Sequence, residues 1–169
     1  MLLLIQYTLM FTAVLVLVAL GGCFSEHSGV INIGLEGIMV IGALGGALTM
    51  RSLSPDTPAI VIILLVVLAA VALGTLYSLL LAVAAIQFKA DQTLVGTALN
   101  LLGTAAATVV VKALNSAENS GNVSDTVQYI EQKKAFLVNI GGFEFSWFML
   151  LALAALIGSY VLLYKTRFG

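Results

Sequence analysis

The chain alternates long apolar stretches with small polar clusters. No Asp, Glu, Lys or Arg occurs in residues 1–25, 37–50, 57–88, 92–111 or 145–164. An α-helix rises 1.5 Å per residue, so about 20 residues cross the roughly 30 Å hydrocarbon core of a bilayer. Four of these five stretches are long enough as they stand. The fifth, 37–50, is long enough only if it extends back through Glu36 towards residue 28. The pattern predicts five membrane segments at about 2–21, 28–50, 59–87, 92–111 and 145–164. Unpaired backbone groups are not tolerated in lipid, so these segments are expected to be helical. Runs such as Ile60–Ala72 do not alternate as a lipid-facing β-strand does. The expected fold is all-α: one polytopic transmembrane helical bundle over residues 1–169.

The connections are short, with one exception. Ser54-Pro55-Asp56-Thr57-Pro58 reads as a turn. Lys89-Ala90-Asp91 is tight, and Asp91 or Thr93 can cap the following helix. Residues 112–144 read as an exposed loop with a partly amphipathic second half, carrying four acidic residues and three lysines. Asn122-Val123-Ser124 matches a glycosylation acceptor, a weak signal at three residues. No basic residue precedes the first apolar run, so a retained helix is expected there, not a lipoprotein-like signal cleaved near Cys23. Lys165 and Arg167 follow the last span and favour a cytoplasmic C-terminus. That orientation puts Lys89 inside and the 112–144 loop outside, where Lys112, Lys133 and Lys134 run against the positive-inside rule.

Composition narrows the classes. The sequence is 61% hydrophobic and only 9% charged, against about 25% charged in ordinary soluble domains. So few charges cannot coat a soluble globule. Seven basic against eight acidic residues leave a net charge of −1, which excludes a basic nucleic-acid binder. One cysteine and one histidine exclude a disulfide framework and a Cys/His zinc site. There is no phosphate loop, dinucleotide fingerprint, zinc-protease or nucleophile-elbow motif, so no catalytic residue, metal or resident cofactor is expected.

The polar residues inside the spans are the candidate chemistry. Glu36 is the only ionisable residue well inside a predicted span, and Asn32 lies four positions earlier on the same helical face. The pair either lines a substrate path and fixes a helix break, or bonds to neighbouring backbone and holds the fold. Gly42 and Gly46 form a small-xxx-small spacing suited to close helix packing, and the glycines before Gly37 also permit an unwound or re-entrant start. In 92–111, Thr93, Thr97, Asn100, Thr104 and Thr108 form one polar stripe beside a strip of Gly96, Gly103 and Ala107. The stripe faces either a partner helix or a water-accessible path. The pathway candidates are thus Asn32, Glu36, Thr93, Thr97, Asn100 and Thr104, with Gly42, Gly46, Gly96 and Gly103 as packing positions. Trp147 and Tyr164 suit the two interfaces of the last span.

Three stretches carry a family resemblance. Ser28-Gly29-Val30-Ile31-Asn32-Ile33-Gly34-Leu35-Glu36-Gly37-Ile38-Met39 resembles a "G-V-[IV]-N-I-G-x-E-G-[MI]-M" segment of bacterial ABC-transporter permeases. These are the nucleoside and simple-sugar importers within the branched-chain amino acid and ribose permease superfamily. Ala90–Leu102 and Tyr164-Lys165-Thr166-Arg167-Phe168-Gly169 are similar to two further segments of the same permeases, in the same order. The resemblance implies a permease subunit in the bacterial cytoplasmic (inner) membrane that imports a nucleoside or simple sugar. It implies a second permease subunit, an ATPase subunit that binds and hydrolyses ATP, and an extracytoplasmic substrate-binding lipoprotein. By motif position Asn32, Glu36, Asp91 and Asn100 carry over as candidate positions. Family members are about twice as long, so the chain corresponds to their N-terminal half. The alternatives are an ion- or proton-coupled secondary transporter with Glu36 titrating, and a membrane fragment that packs without transporting.

Overall fold

The computed structural model describes residues 1–127, 135–140 and 143–166. Five helices are present among them: α1 (Leu2–His27), α2 (Leu35–Ser52), α3 (Ala59–Ile86), α4 (Gln92–Glu118) and α5 (Trp147–Lys165). A short antiparallel hairpin of β1 (Leu137–Ile140) and β2 (Phe143–Ser146) precedes α5, with Leu137 opposite Ser146 and Asn139 opposite Glu144. The helices α1, α3, α4 and α5 are long and apolar enough to cross a membrane. Helix α2 is 18 residues, about 27 Å at 1.5 Å per residue. Large apolar side chains such as Leu64, Leu68, Leu101 and Leu153 point outwards along all the long helices, as expected of a protein whose solvent is lipid.

Several boundaries differ from the expected ones. The second segment is helical only from Leu35, and residues 28–34 are turn and extended backbone. Helix α1 runs six residues past the expected end at 21, through Gly21-Gly22-Cys23, because a sharper stop follows. Gly29 takes a left-handed φ of +82°, donating to Glu26 O, while Val30 donates to Ser25 O. Together these two bonds close a Schellman motif. Helix α4 continues to Glu118, since Lys112–Glu118 contains no glycine or proline to end it. The expected 112–144 loop is therefore shorter, and its later part contains the hairpin. Residues 128–134 of the expected amphipathic stretch lie outside the described residues.

The chain forms two compact units. One contains α1, the hairpin and α5. There the Gln6 amide, 6% exposed, donates to Glu144 at 3.2 Å, and Phe136 stacks on Phe148. Leu17, Leu20 and Phe24 share a groove with Ala155, Ser159 and Leu162, so α1 and α5 run parallel. Ser146 caps α5 by accepting from Phe148 N–H.

The other unit, starting at Asn32, contains α2, α3 and α4. Ser54 O accepts from Thr57 N–H in the expected turn, and Asp91 caps α4 by accepting from Thr93 and Leu94 N–H at 2.8 and 3.1 Å. The three helices run up, down and up. Gly42 lies against Ala70 and Gly74 of α3, and Gly46 against Val66 and Ala70. Gly34 and Gly37 lie against Gly96 and Gly103 of α4, so α2 and α4 are parallel neighbours.

Candidate functional site

The site begins where α2 starts. A helix leaves its first N–H groups without internal partners, and a side chain at the N-cap usually satisfies one. Here the N-cap is Gly34, which has none to offer. Asn100, from α4, supplies the missing group. Its Oδ1 accepts from Gly37 N–H at 2.8 Å, and its Nδ2 donates to Ile33 O at 2.9 Å. One amide thus satisfies a carbonyl of the unwound segment and an N–H in the first turn of α2, both far from it in sequence. The approach depends on missing side chains. A Cβ on Gly37 would sit 2.5 Å from Leu99 O, one on Gly103 2.9 Å from Gly37 Cα, and one on Gly96 2.9 Å from Gly34 N. Tyr77 of α3 adds a bond of 2.6 Å from its hydroxyl to Leu99 O.

Around this junction the predicted residues separate. Asn32 is half-buried in the unwound segment, and its Oδ1 is buried with no hydrogen-bond partner among the described residues. Glu36 is exposed in the first turn of α2, where the helix dipole favours a negative charge. Thr93, Thr97, Thr104 and Thr108 lie exposed along α4. Three of their hydroxyls bond back to their own helix: Thr97 to Thr93 O, Thr104 to Asn100 O and Thr108 to Thr104 O. Their donors are used there, and their lone pairs remain available. Asn100 is the stripe residue whose side chain reaches another element.

A second polar cluster, not expected from the sequence, lies at the far ends of α2 and α4. Arg51 forms an ion pair with Glu118, and its guanidinium donates to Asn115 Oδ1 at 3.2 Å. Asn115 is 3% exposed, and its Nδ2 donates to Ser124 O and Thr126 O at 2.9 and 3.0 Å. Residues 124–126 are thereby folded back onto the helix ends. Beneath them a groove of about 300 Å³ runs between α2 and α4, lined by residues that include Ala43, Ala47, Thr104, Thr108 and Asp125. The signal available in the sequence was Arg51 at one helix end and Asn115 and Glu118 at another; nothing local joins them.

No group of three or more His, Cys, Asp or Glu side chains is placed to hold a metal among the described residues. The two polar clusters bring amide, hydroxyl and carboxylate groups together along α2 and α4. Apolar helices of membrane length, with a glycine-lined helix start and a polar stripe along α4, define a multi-pass membrane protein. The chain belongs to the family described as branched-chain amino acid transport system / permease component, which it matches over residues 4–169. It is a multi-pass protein of the bacterial cytoplasmic membrane. The guanosine ABC transporter permease protein NupQ of Bacillus subtilis is 40% identical over 96% of this chain and 52% of its own length. The nucleoside ABC transporter permease protein NupC of Lactococcus lactis is 32% identical over 95% of this chain and 51% of its own length. A putative glucose ABC transporter permease protein of Haloferax volcanii, TsgC13, is 49% identical over 25% of this chain. The chain spans about half the length of the first two relatives. No solved structure matches it.

Proposed function

We propose that this chain contributes a transmembrane portion of the permease of an ABC importer for nucleosides. The carrying observation is its similarity, along nearly its whole length, to two permeases named for guanosine and nucleoside transport. The likeness to a sugar permease covers only a quarter of the chain and supports the sugar reading less. A neutral, hydroxyl-rich solute suits a path lined by threonines and amides, because it needs hydrogen bonds and not counter-charges.

In this reading ATP is bound and hydrolysed by a partner ATPase, a second permease subunit completes the pore, and an extracytoplasmic binding lipoprotein delivers the solute. The permease alternates between outward- and inward-facing states, and nucleotide binding to the partner shifts their populations through differential contacts. Asn32, Glu36, Asn100 and the threonine stripe are the pathway residues, with Asn100 also holding the start of α2 to α4. Lys89 and Lys165 face the cytoplasm.

The test is uptake of guanosine into proteoliposomes holding the assembled importer. Uptake is expected to require internal ATP and to persist when the proton gradient is collapsed, and Glu36→Gln is expected to retain ATP dependence. Uptake that ignores ATP and collapses with the gradient would overturn the reading in favour of a proton-coupled carrier.

A further inference from the structure

We propose that the groove between α2 and α4 beneath residues 125–127 is a subsite for the ribose of an uncharged nucleoside; the proposal rests on the nucleoside-import reading. The groove's volume, about 300 Å³, lies at the lower end of small-molecule sites and suits part of a nucleoside. Its walls are Ala43, Ala47 and neighbouring aliphatic residues of α2 and α4, which give an apolar surface for a sugar or base face.

The polar side chains of the groove are Thr104, Thr108, Thr126 and Asp125. Thr104 and Thr108 have spent their hydroxyl protons on carbonyls of their own helix, so they present lone pairs. Asp125, at the roof, makes no ion pair among the described residues and offers two further acceptor oxygens. Among the described residues no Lys or Arg lines the groove. A set of acceptors around a carboxylate calls for a ligand rich in hydroxyl donors. The vicinal 2′- and 3′-hydroxyls of ribose answer that requirement, as when a carboxylate holds a ribose hydroxyl in dinucleotide sites. The same carboxylate, with no cation beside it among the described residues, repels a phosphate, so the subsite selects nucleosides over nucleotides. The roof is positioned by Asn115, whose two bonds to Ser124 O and Thr126 O hold Asp125 between them.

The test uses the assembled importer in nanodiscs without its binding protein. In a Cys23→Ser background, Val127→Cys places a thiol on the groove, and its rate of modification by a charged maleimide is followed. Uridine is expected to slow modification, whereas 2′,3′-dideoxyuridine and uridine 5′-monophosphate are not. Asp125→Asn in the same background is expected to raise the half-protecting uridine concentration about tenfold or more, and Thr108→Val about three- to tenfold. Equal protection by uridine and its dideoxy analogue would overturn the ribose assignment. So would a half-protecting concentration unmoved by Asp125→Asn. Failure of the unsubstituted importer to take up guanosine would overturn the import reading instead. Normal guanosine uptake without protection at residue 127 would overturn the subsite alone.

Discussion

A single amide carries the tightest constraint at the scale of residues. Asn100 satisfies Gly37 N–H and Ile33 O together, and a backbone group left unpaired away from water costs about 1–3 kcal/mol. Asn100→Leu leaves both groups unpaired. The expected loss is about 2–5 kcal/mol, measurable as a lowered midpoint of thermal unfolding in detergent. Thr97→Val removes only a hydroxyl bonded to its own helix and is expected to shift that midpoint little. The difference between these two variants tests whether the stripe is one uniform surface or a surface with one structural member. The need for a polar residue at position 100 is legible in the sequence, because Asn is costly in lipid. Its partners are not: they lie 63 and 67 residues away.

Helix α2 owes its position to small residues on two faces. Gly42 and Gly46 let α3 approach, and Gly37 lets α4 approach. Adding a methyl group at Gly37 drives it into the Leu99 carbonyl, a backbone atom that cannot rotate away. Gly37→Ala and Gly103→Ala are each expected to destabilise by about 1–3 kcal/mol, the usual range for overpacking. Gly158→Ala in α5 meets nothing within 4 Å and is expected to be neutral or slightly stabilising. Thermal unfolding of the three variants side by side checks this. At the opposite end, Asn115→Ala removes both tethers on residues 124–126. Limited proteolysis from the 119–127 side is expected to speed up clearly, while the helices stay intact. The glycine spacings could be read from the sequence, but not which helix each faces. The hairpin strands left a partial signal in the sequence: Phe143-Glu144-Phe145-Ser146 alternates and follows Gly141-Gly142, whereas Leu137-Val138-Asn139-Ile140 does not alternate.

Crossings can be counted at the scale of the whole molecule. Helices α1 and α5 run parallel, so the chain between them crosses the membrane an odd number of times. Helices α3 and α4 account for two, and α2, although short, is expected to supply the third. Its apolar centre, 37–50, is bracketed by Glu36 and Arg51, and its 18 residues are about the hydrocarbon thickness. Single cysteines at Asp56 and Asn122 are therefore expected to react from one side of the membrane and one at Lys89 from the other. A cysteine at Ser28 decides the case for α2: it is expected to react from the side opposite Asp56, whereas a re-entrant α2 would place Asp56 on the same side as Ser28.

What the sequence determined by itself is the solvent and the number of helices. Charge-free stretches of membrane length leave no other home for this chain, because burying charge in lipid and exposing so much apolar surface to water are both prohibitive. Caps such as Asp91 and the Ser54–Pro58 turn were also local matters, settled within a few residues. Only the tertiary structure decided where α2 begins, that Asn100 completes it, and that Arg51, Asn115 and Asp125 gather at one end. Those are hydrogen bonds and contacts between segments far apart in sequence, and periodicity within one helix carries no record of which neighbour will supply the missing partner.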